Sequence, residues 1–98
     1  MPRRNKAQDQ TAHALRRAYE RYGLKLSTHH LANIIRAIQE GRARLVAQQS
    51  LRVFVFDVSI NVRTAFVGWD GPDTTTMRVV YDKQRRTIAT FLLPGMGE

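Results

Sequence analysis

The chain contains no cysteine. Disulfide staples and thiolate nucleophiles are thereby excluded, and stability has to come from a packed core. Acidic residues are scarce: eight Asp and Glu stand against sixteen Lys and Arg, for a formal net charge of +8. Of the three histidines only His29 and His30 are close in sequence. Adjacent helical residues point roughly 100° apart, so this pair lacks the i, i+4 spacing of a helical metal site. No apolar run approaches the roughly 20 residues of a membrane span, and the basic start MPRRNKAQDQ is followed by no signal-peptide core. A cytoplasmic protein with no membrane association is expected, or one delivered into a target cell's cytoplasm by other machinery. Gly-rich phosphate loops, His-Glu-x-x-His zinc motifs and Ser-His-Asp arrangements are absent, as are repeats and low-complexity segments. No metal and no cofactor is expected.

What is present fits one small globular domain. Ninety-eight residues, 43% hydrophobic and 24% charged, suffice for a single modest core. The expected division is a basic arm over residues 1–8, one domain over 9–94 and a tail over 95–98. Positive charge is uneven: residues 1–50 hold ten Lys and Arg against three acidic residues, and residues 51–98 hold six against five. Such a field concentrates polyanions, nucleic acid first, with an acidic protein partner or an anionic membrane behind it.

Two helices are expected first. From Asp9, a residue suited to an N-cap, Ala12, Leu15, Tyr19 and Tyr22 recur at helical spacing until Gly23. The other face carries His13, Arg17 and Arg21 at successive i, i+4 steps, with Arg16 and Glu20 beside them. Like charges at that spacing oppose the helix slightly unless something anionic lies against them. Ser27 or Thr28 then caps a second helix whose stripe is Leu31, Ile34, Ile35 and Ile38, with Gly41 as the stop. His29 and His30 are read as structural or solvated residues of that helix.

Beyond Gly41 the period changes to two. Leu45 and Val46 begin a short strand, and Gln48-Gln49-Ser50 make a turn. Val53 to Val62 alternates strictly, with Phe54, Phe56, Val58, Ile60 and Val62 on one face, bending or turning near Ser59 to Asn61. Thr64 to Trp69 is a further expected strand and Asp70-Gly71-Pro72-Asp73 a turn. The stretch Met77 to Pro94 reads as a hairpin about the turn Lys83-Gln84-Arg85-Arg86. In its first half Met77, Val79 and Tyr81 alternate with Arg78, Val80 and Asp82; in its second, Ile88, Thr90 and Leu92 alternate with Ala89, Phe91 and Leu93. Apolar residues on both faces predict central strands. Threonine is a good strand former, but Thr90 stands where a purely structural strand more often carries Val or Ile. The implied fold is α+β: two N-terminal helices packed on one face of a four- to five-stranded antiparallel meander sheet.

Two local patterns coincide at this point. His13-Ala14-Leu15-Arg16-Arg17 through Arg21-Tyr22-Gly23-Leu24, then Leu26-Ser27 and a helix ending at Glu40-Gly41, resembles the opening of a family of small bacterial domains. That family begins His-Ala-x-x-Arg, followed by x-Arg-Gly-Ile-Ser, and here Tyr22 looks like a one-residue insertion before Gly23. Val79-Val80-Tyr81-Asp82, a turn, and Ile88-Ala89-Thr90-Phe91-Leu92 resembles the same family's close. The family belongs to the barnase, EndoU, colicin and RelE-like (BECR) group of metal-independent ribonucleases, many of them toxins. The likeness spans about residues 12–93.

The resemblance implies cleavage of RNA, either tRNA or mRNA, by attack of the 2′-hydroxyl. This chemistry takes a base, an acid and cations on the phosphate. His13 is the implied general base or acid, Arg17 the phosphate holder and Thr90 a phosphate or substrate contact, with Tyr81 a further catalytic candidate. Arg16, Arg21, Arg52 and Arg78 are the candidate nucleic-acid contacts, and an acidic antitoxin or immunity protein is the implied partner. The alternative is a non-catalytic basic module, which could be phage-encoded, that binds nucleic acid or protein on the same scaffold. A third reading is a partner-binding domain of a larger assembly, which an exposed apolar strand face around Phe54 and Phe56 would indicate. Aromatics make up 8% of the chain and fall mostly at core-like positions, so no base-stacking platform is expected.

Overall fold

A computed structural model describes residues 6–61 and 74–96. Its elements run α1 (Lys6–Tyr22), α2 (Thr28–Gln39), β1 (Arg44–Gln48), β2 (Val53–Asn61), β3 (Thr74–Asp82) and β4 (Thr87–Leu92). The strands form an antiparallel sheet in the order β1-β2-β3-β4, and both helices pack on one face of it. This is the expected α+β architecture with four strands. The expected strand at Thr64 to Trp69 and turn at Asp70 to Asp73 lie outside the described residues. No described helix is long and apolar enough to cross a membrane.

Several local boundaries differ from the sequence reading. α1 begins at Lys6, so Asp9 sits in its first turn rather than at its cap, where its charge still favours the helix dipole. β2 runs straight through Ser59 to Asn61, paired to β3 along its length. Gly23 and Gly41 end the two helices as expected, at φ of 69° and 76°. Both make the left-handed turn that a side chain disfavours.

The core lies between the helices and the near face of the sheet. Ala14 and Ala18 of α1, Leu31, Ile34 and Ala37 of α2, and Leu24 and Leu26 between them meet Val58, Ile60, Met77, Val79, Tyr81, Ile88 and Phe91. β3 is central, and six consecutive residues from Met77 to Asp82 are buried. β4, also expected to be central, is instead an edge among the described strands, covered by α1.

The hairpin also departs from strict alternation. Val80 pairs with Thr90 but Tyr81 pairs with Ile88, leaving Ala89 as the extra residue of a bulge. Ile88 and Phe91, three residues apart, therefore share the near face, and Thr90 turns to the far face beside Val80. Unbroken alternation would have put Thr90 on the face of Ile88. A second irregularity, between Leu45 and Ala47, lets β1 bend along β2.

α2 is capped by Ser27, with histidine in the place usually held by Glu or Gln. The His30 backbone N–H donates to Ser27 Oγ at 3.4 Å, and the Ser27 backbone N–H donates back to His30 Nδ1 at 3.0 Å. Nδ1 must be unprotonated to accept, so the cap needs the neutral ring with its proton on Nε2. Burial, then the neighbouring His29, pushes the His30 pKa below the ordinary imidazole value. A base depressed on folding contributes its full stability above the unfolded value of about 6.5 and loses it as pH falls toward the folded value. The parent's melting temperature is accordingly expected to drop between about pH 7 and pH 5. His30→Gln keeps the capping acceptor without titrating and should remove most of that drop in thermal melts; parallel pH profiles for the two proteins would rule the cap out as its source.

Candidate nucleic-acid interface

α1 lies along β4, and its two small buried residues, Ala14 and Ala18, bring the backbones close. Polar contacts fix both ends. Near its start, Gln10 Nε2 donates to Asp82 Oδ2 at 3.3 Å while Gln10 Oε1 accepts from the Thr87 hydroxyl. At its end the Tyr22 hydroxyl donates to the Leu92 carbonyl and accepts from the Arg78 backbone N–H at 3.2 Å. It thus bridges β3 and β4 where the hairpin ladder ends. Burial pushes the Tyr22 phenol above its ordinary pKa, against the lowering effect of the Arg78 amide. Gln10 near Thr87 and Tyr22 near Leu92 make α1 run parallel to β4.

This alignment sets the level of the candidate residues. Arg17 is seven residues beyond Gln10, roughly 10 Å along a helix, and Thr90 is three beyond Thr87, roughly 10 Å along a strand. Gln10, Arg17 and Arg21 share one line of α1. Gln10 reaches far-face groups at one end, and Arg21 Nη1 meets the Met96 sulfur at 3.2 Å at the other. By these rises alone Arg17 falls near the level of Thr90; its hydrogen-bond partners are on its own helix. Arg17 Nε donates to His13 Nε2 at 3.5 Å, and Arg17 Nη1 pairs with Glu20 at 2.8 Å. His13 and Arg16 are exposed, while Arg17, Arg21 and Thr90 are half-buried. Among the described residues the Thr90 hydroxyl has no hydrogen-bond partner, and none joins it to His13 or Arg17.

Three other candidates lie elsewhere. Tyr81 is buried on the near face, its ring 6.4 Å from that of Phe56 in a T-shaped contact, and the bulge puts it on the opposite side of the sheet from Thr90. Arg52 stands by the hairpin turn, where its Nη1 donates to Gln84 Oε1 at 2.6 Å and its carbonyl accepts from the Lys83 N–H at 2.7 Å. Arg78 is 5% exposed. Its Nε and Nη2 bind the two Asp57 oxygens at 2.9 and 3.1 Å, and its Nη1 donates to the Met96 carbonyl at 3.0 Å. A guanidinium committed in this way holds the sheet to the C-terminal segment and is not offered to a polyanion. Its hydrogen bonds are the chief reason that the Asp57 carboxyl titrates below its usual range. That contribution is complete above the ordinary aspartate pKa and is lost as pH falls through the depressed value.

Of two further features, sequence reasoning missed the first and anticipated the second only as an apolar strand face around Phe54 and Phe56. At the hairpin turn, Asp82 is buried and accepts from the backbone N–H groups of Gln84 and Arg85, both at 3.1 Å, leaving the turn's cations outermost. Burial acts to raise the Asp82 pKa, but the Arg85 N–H, the Gln10 amide and the charges of Arg85 and Arg52 outweigh it and hold the carboxyl low. Beside this turn a groove of about 260 Å³ is lined by Ile38, Gln39, Phe54, Phe56, Tyr81 and Lys83. α2 ends at Gln39, whereas β2 and β3 extend past it, so the aromatic end of the near face is only partly roofed. The available signal was Phe54 lying one step outside the stretch that α2 can cover, opposite the basic turn.

No family model, curated protein or solved structure matches the chain. Fold and surface define a small basic α+β domain with two helices on an antiparallel sheet.

Arg78→Ala is expected to destabilise the protein by about 3 kcal/mol, because it leaves the largely buried Asp57 with only the exposed Arg44 guanidinium at 3.4 Å. Arg17→Ala, removing a half-exposed i, i+3 pair, should cost under about 1 kcal/mol. Urea unfolding of both variants tests the contrast, and equal costs would contradict the structural assignment of Arg78.

Proposed function

We propose that the protein binds RNA along the α1–β4 rim and cleaves it as a metal-independent endoribonuclease of toxin type. What supports the reading is the packing of α1 along β4, held by Gln10 and Tyr22, which puts the His13-Arg17-Arg21 line on the helix that covers the strand of Thr90. In this reading Arg17 and Arg21 hold the phosphate and His13 moves a proton to or from the reacting oxygens. Thr90 donates its hydroxyl to a non-bridging oxygen, and Arg16 adds charge from the outer side of the helix. The resemblance of the chain's opening and closing motifs to the BECR ribonucleases supports the same assignment. So does the excess of cations on the helical half, which favours tRNA or mRNA as ligand and an acidic inhibitor protein as partner.

One observation favours a second reading, a basic RNA-binding module without catalysis. Transfer through the 2′-hydroxyl takes both a base and an acid, and His13 is the one imidazole on this rim. The two readings separate in a cleavage assay on total cellular RNA in EDTA. The catalytic reading predicts discrete fragments with 2′,3′-cyclic phosphate ends, reduced roughly 100-fold or more by His13→Ala. Arg17→Ala and Thr90→Ala should also slow cleavage, while all three variants remain folded. Absence of fragments, with salt-sensitive RNA binding that Arg17→Ala weakens, would assign the non-catalytic role.

A further inference from the structure

We infer that the partly roofed groove beside the hairpin turn is a nucleobase pocket, which takes one unstacked base of a single-stranded RNA whose phosphates lie on the turn's cations. The inference rests on the RNA-binding reading above and adds a second contact region to it.

The pocket's shape follows from the register. Phe54 pairs with Tyr81 and Phe56 with Val79, so Phe54, Phe56 and Tyr81 stand on the near face at the end that α2 leaves partly uncovered. The rings touch one another as an aromatic patch: the Phe54 and Phe56 centroids are 6.3 Å apart and inclined at 32°, and Tyr81 makes a T-shaped contact with Phe56, so a base would stack on the outer ring surface and not between the rings. Ile38 supplies the apolar lip. Phe54 and Phe56 are both half-buried, so each keeps ring surface that water now covers. A base filling the groove would gain stacking without sequence preference, since every base offers a π face.

Charge selects the occupant. An apolar groove alone suits a protein side chain equally well, but this one carries Lys83 Nζ at 6.0 Å from the Phe54 ring centroid and has no carboxylate in its lining. Arg52, Arg85 and Arg86 stand on or beside the same turn. The nearby acid, Asp82, is 2% exposed and turned inward onto backbone N–H groups. A cationic turn bordering an aromatic slot complements a chain that alternates phosphate with base. Gln39, with an amide that both donates and accepts, is in the lining and offers a base edge a hydrogen-bond partner. Gln10 and Thr87 tie the start of α1 to the hairpin at this same turn, so a strand leaving the pocket can continue onto the His13-Arg17 line.

The test is fluorescence anisotropy with labelled single-stranded oligoadenylate, the same strand with every base replaced by an abasic sugar, and an RNA duplex. Phe54→Leu keeps the apolar volume and removes the ring. It should weaken oligoadenylate binding about tenfold, within the range of one lost stacking contact, and leave duplex binding unchanged. The abasic strand, which alters nothing in the protein, should bind the parent and Phe54→Leu equally. Lys83→Ala should lower the slope of log affinity against log salt by about 0.7, the single-strand value for one phosphate contact, whereas Phe54→Leu leaves that slope unaltered. If the parent binds oligoadenylate but Phe54→Leu and the abasic strand bind just as well, the pocket is overturned and the RNA-binding reading stands. A parent that binds no RNA overturns both. A Phe54-dependent increase in solution molar mass, with RNA binding independent of Phe54, would assign the groove to a second copy of the chain.

Discussion

The position of α1 on the closing hairpin is the constraint on which the rest depends. Burial of Ala14 and Ala18 supplies contact, but two flush alanines define neither the direction nor the rotation of a helix. Those are defined by the polar contacts of Gln10 and Tyr22. Tyr22 in particular ties the two strands at their last paired step, joining the Arg78 N–H to the Leu92 carbonyl through one hydroxyl. Once both ends of α1 are held, the basic line between them is confined to the rim of β4, and the bulge at Ala89 decides what that rim presents.

The same contacts sort the charges into two groups. Asp57 and Asp82 are turned inward, where Arg78 and the hairpin backbone satisfy them. Buried acids of this kind order the sheet and leave little negative potential outside. Glu20 and Glu40 engage neighbours on their own helix or at its end, at 2.8 and 3.1 Å, with both partners substantially exposed. Such pairs contribute little to stability and are readily exchanged for a stronger anion. Exposed or half-buried cations among the described residues stand on α1 (Arg16, Arg17, Arg21), at the hairpin turn (Arg52, Lys83, Arg85, Arg86) and, in a third group, at Arg36, Arg42 and Arg44. A polyanion crossing between the first two groups meets the aromatic groove at the turn and Thr90 along the rim.

Much of the fold was legible because its signals are local. Gly23 and Gly41 stop the helices, the stripe from Leu31 to Ile38 sets the buried face of α2, and alternation from Val53 sets β2. The bulge at Ala89 was not legible, since an extra residue is selected by the packing of Ile88 and Phe91 against α1 and leaves no mark in a run of strand formers. That one residue separates Thr90 from Tyr81, two candidates that alternation alone could not tell apart. The structural occupation of Arg78 was equally hidden, because its partners come from β2 and from the C-terminal segment. His13 and Arg17 were readable as a line on a helix; what the line faces was set by contacts seventy or more residues away in sequence.

The central claim, that the α1–β4 rim and the hairpin turn form the RNA-binding surface, is tested most directly by amide chemical-shift mapping with a short 2′-O-methyl oligoadenylate, which lacks the attacking hydroxyl and stays intact. The account predicts shifts concentrated at Arg16, Arg17, Arg21, Thr90 and Lys83, with Arg36 on α2 and Arg44 on β1 little changed. Shifts centred on Arg36 and Arg44 instead, with the rim and turn silent, would contradict it.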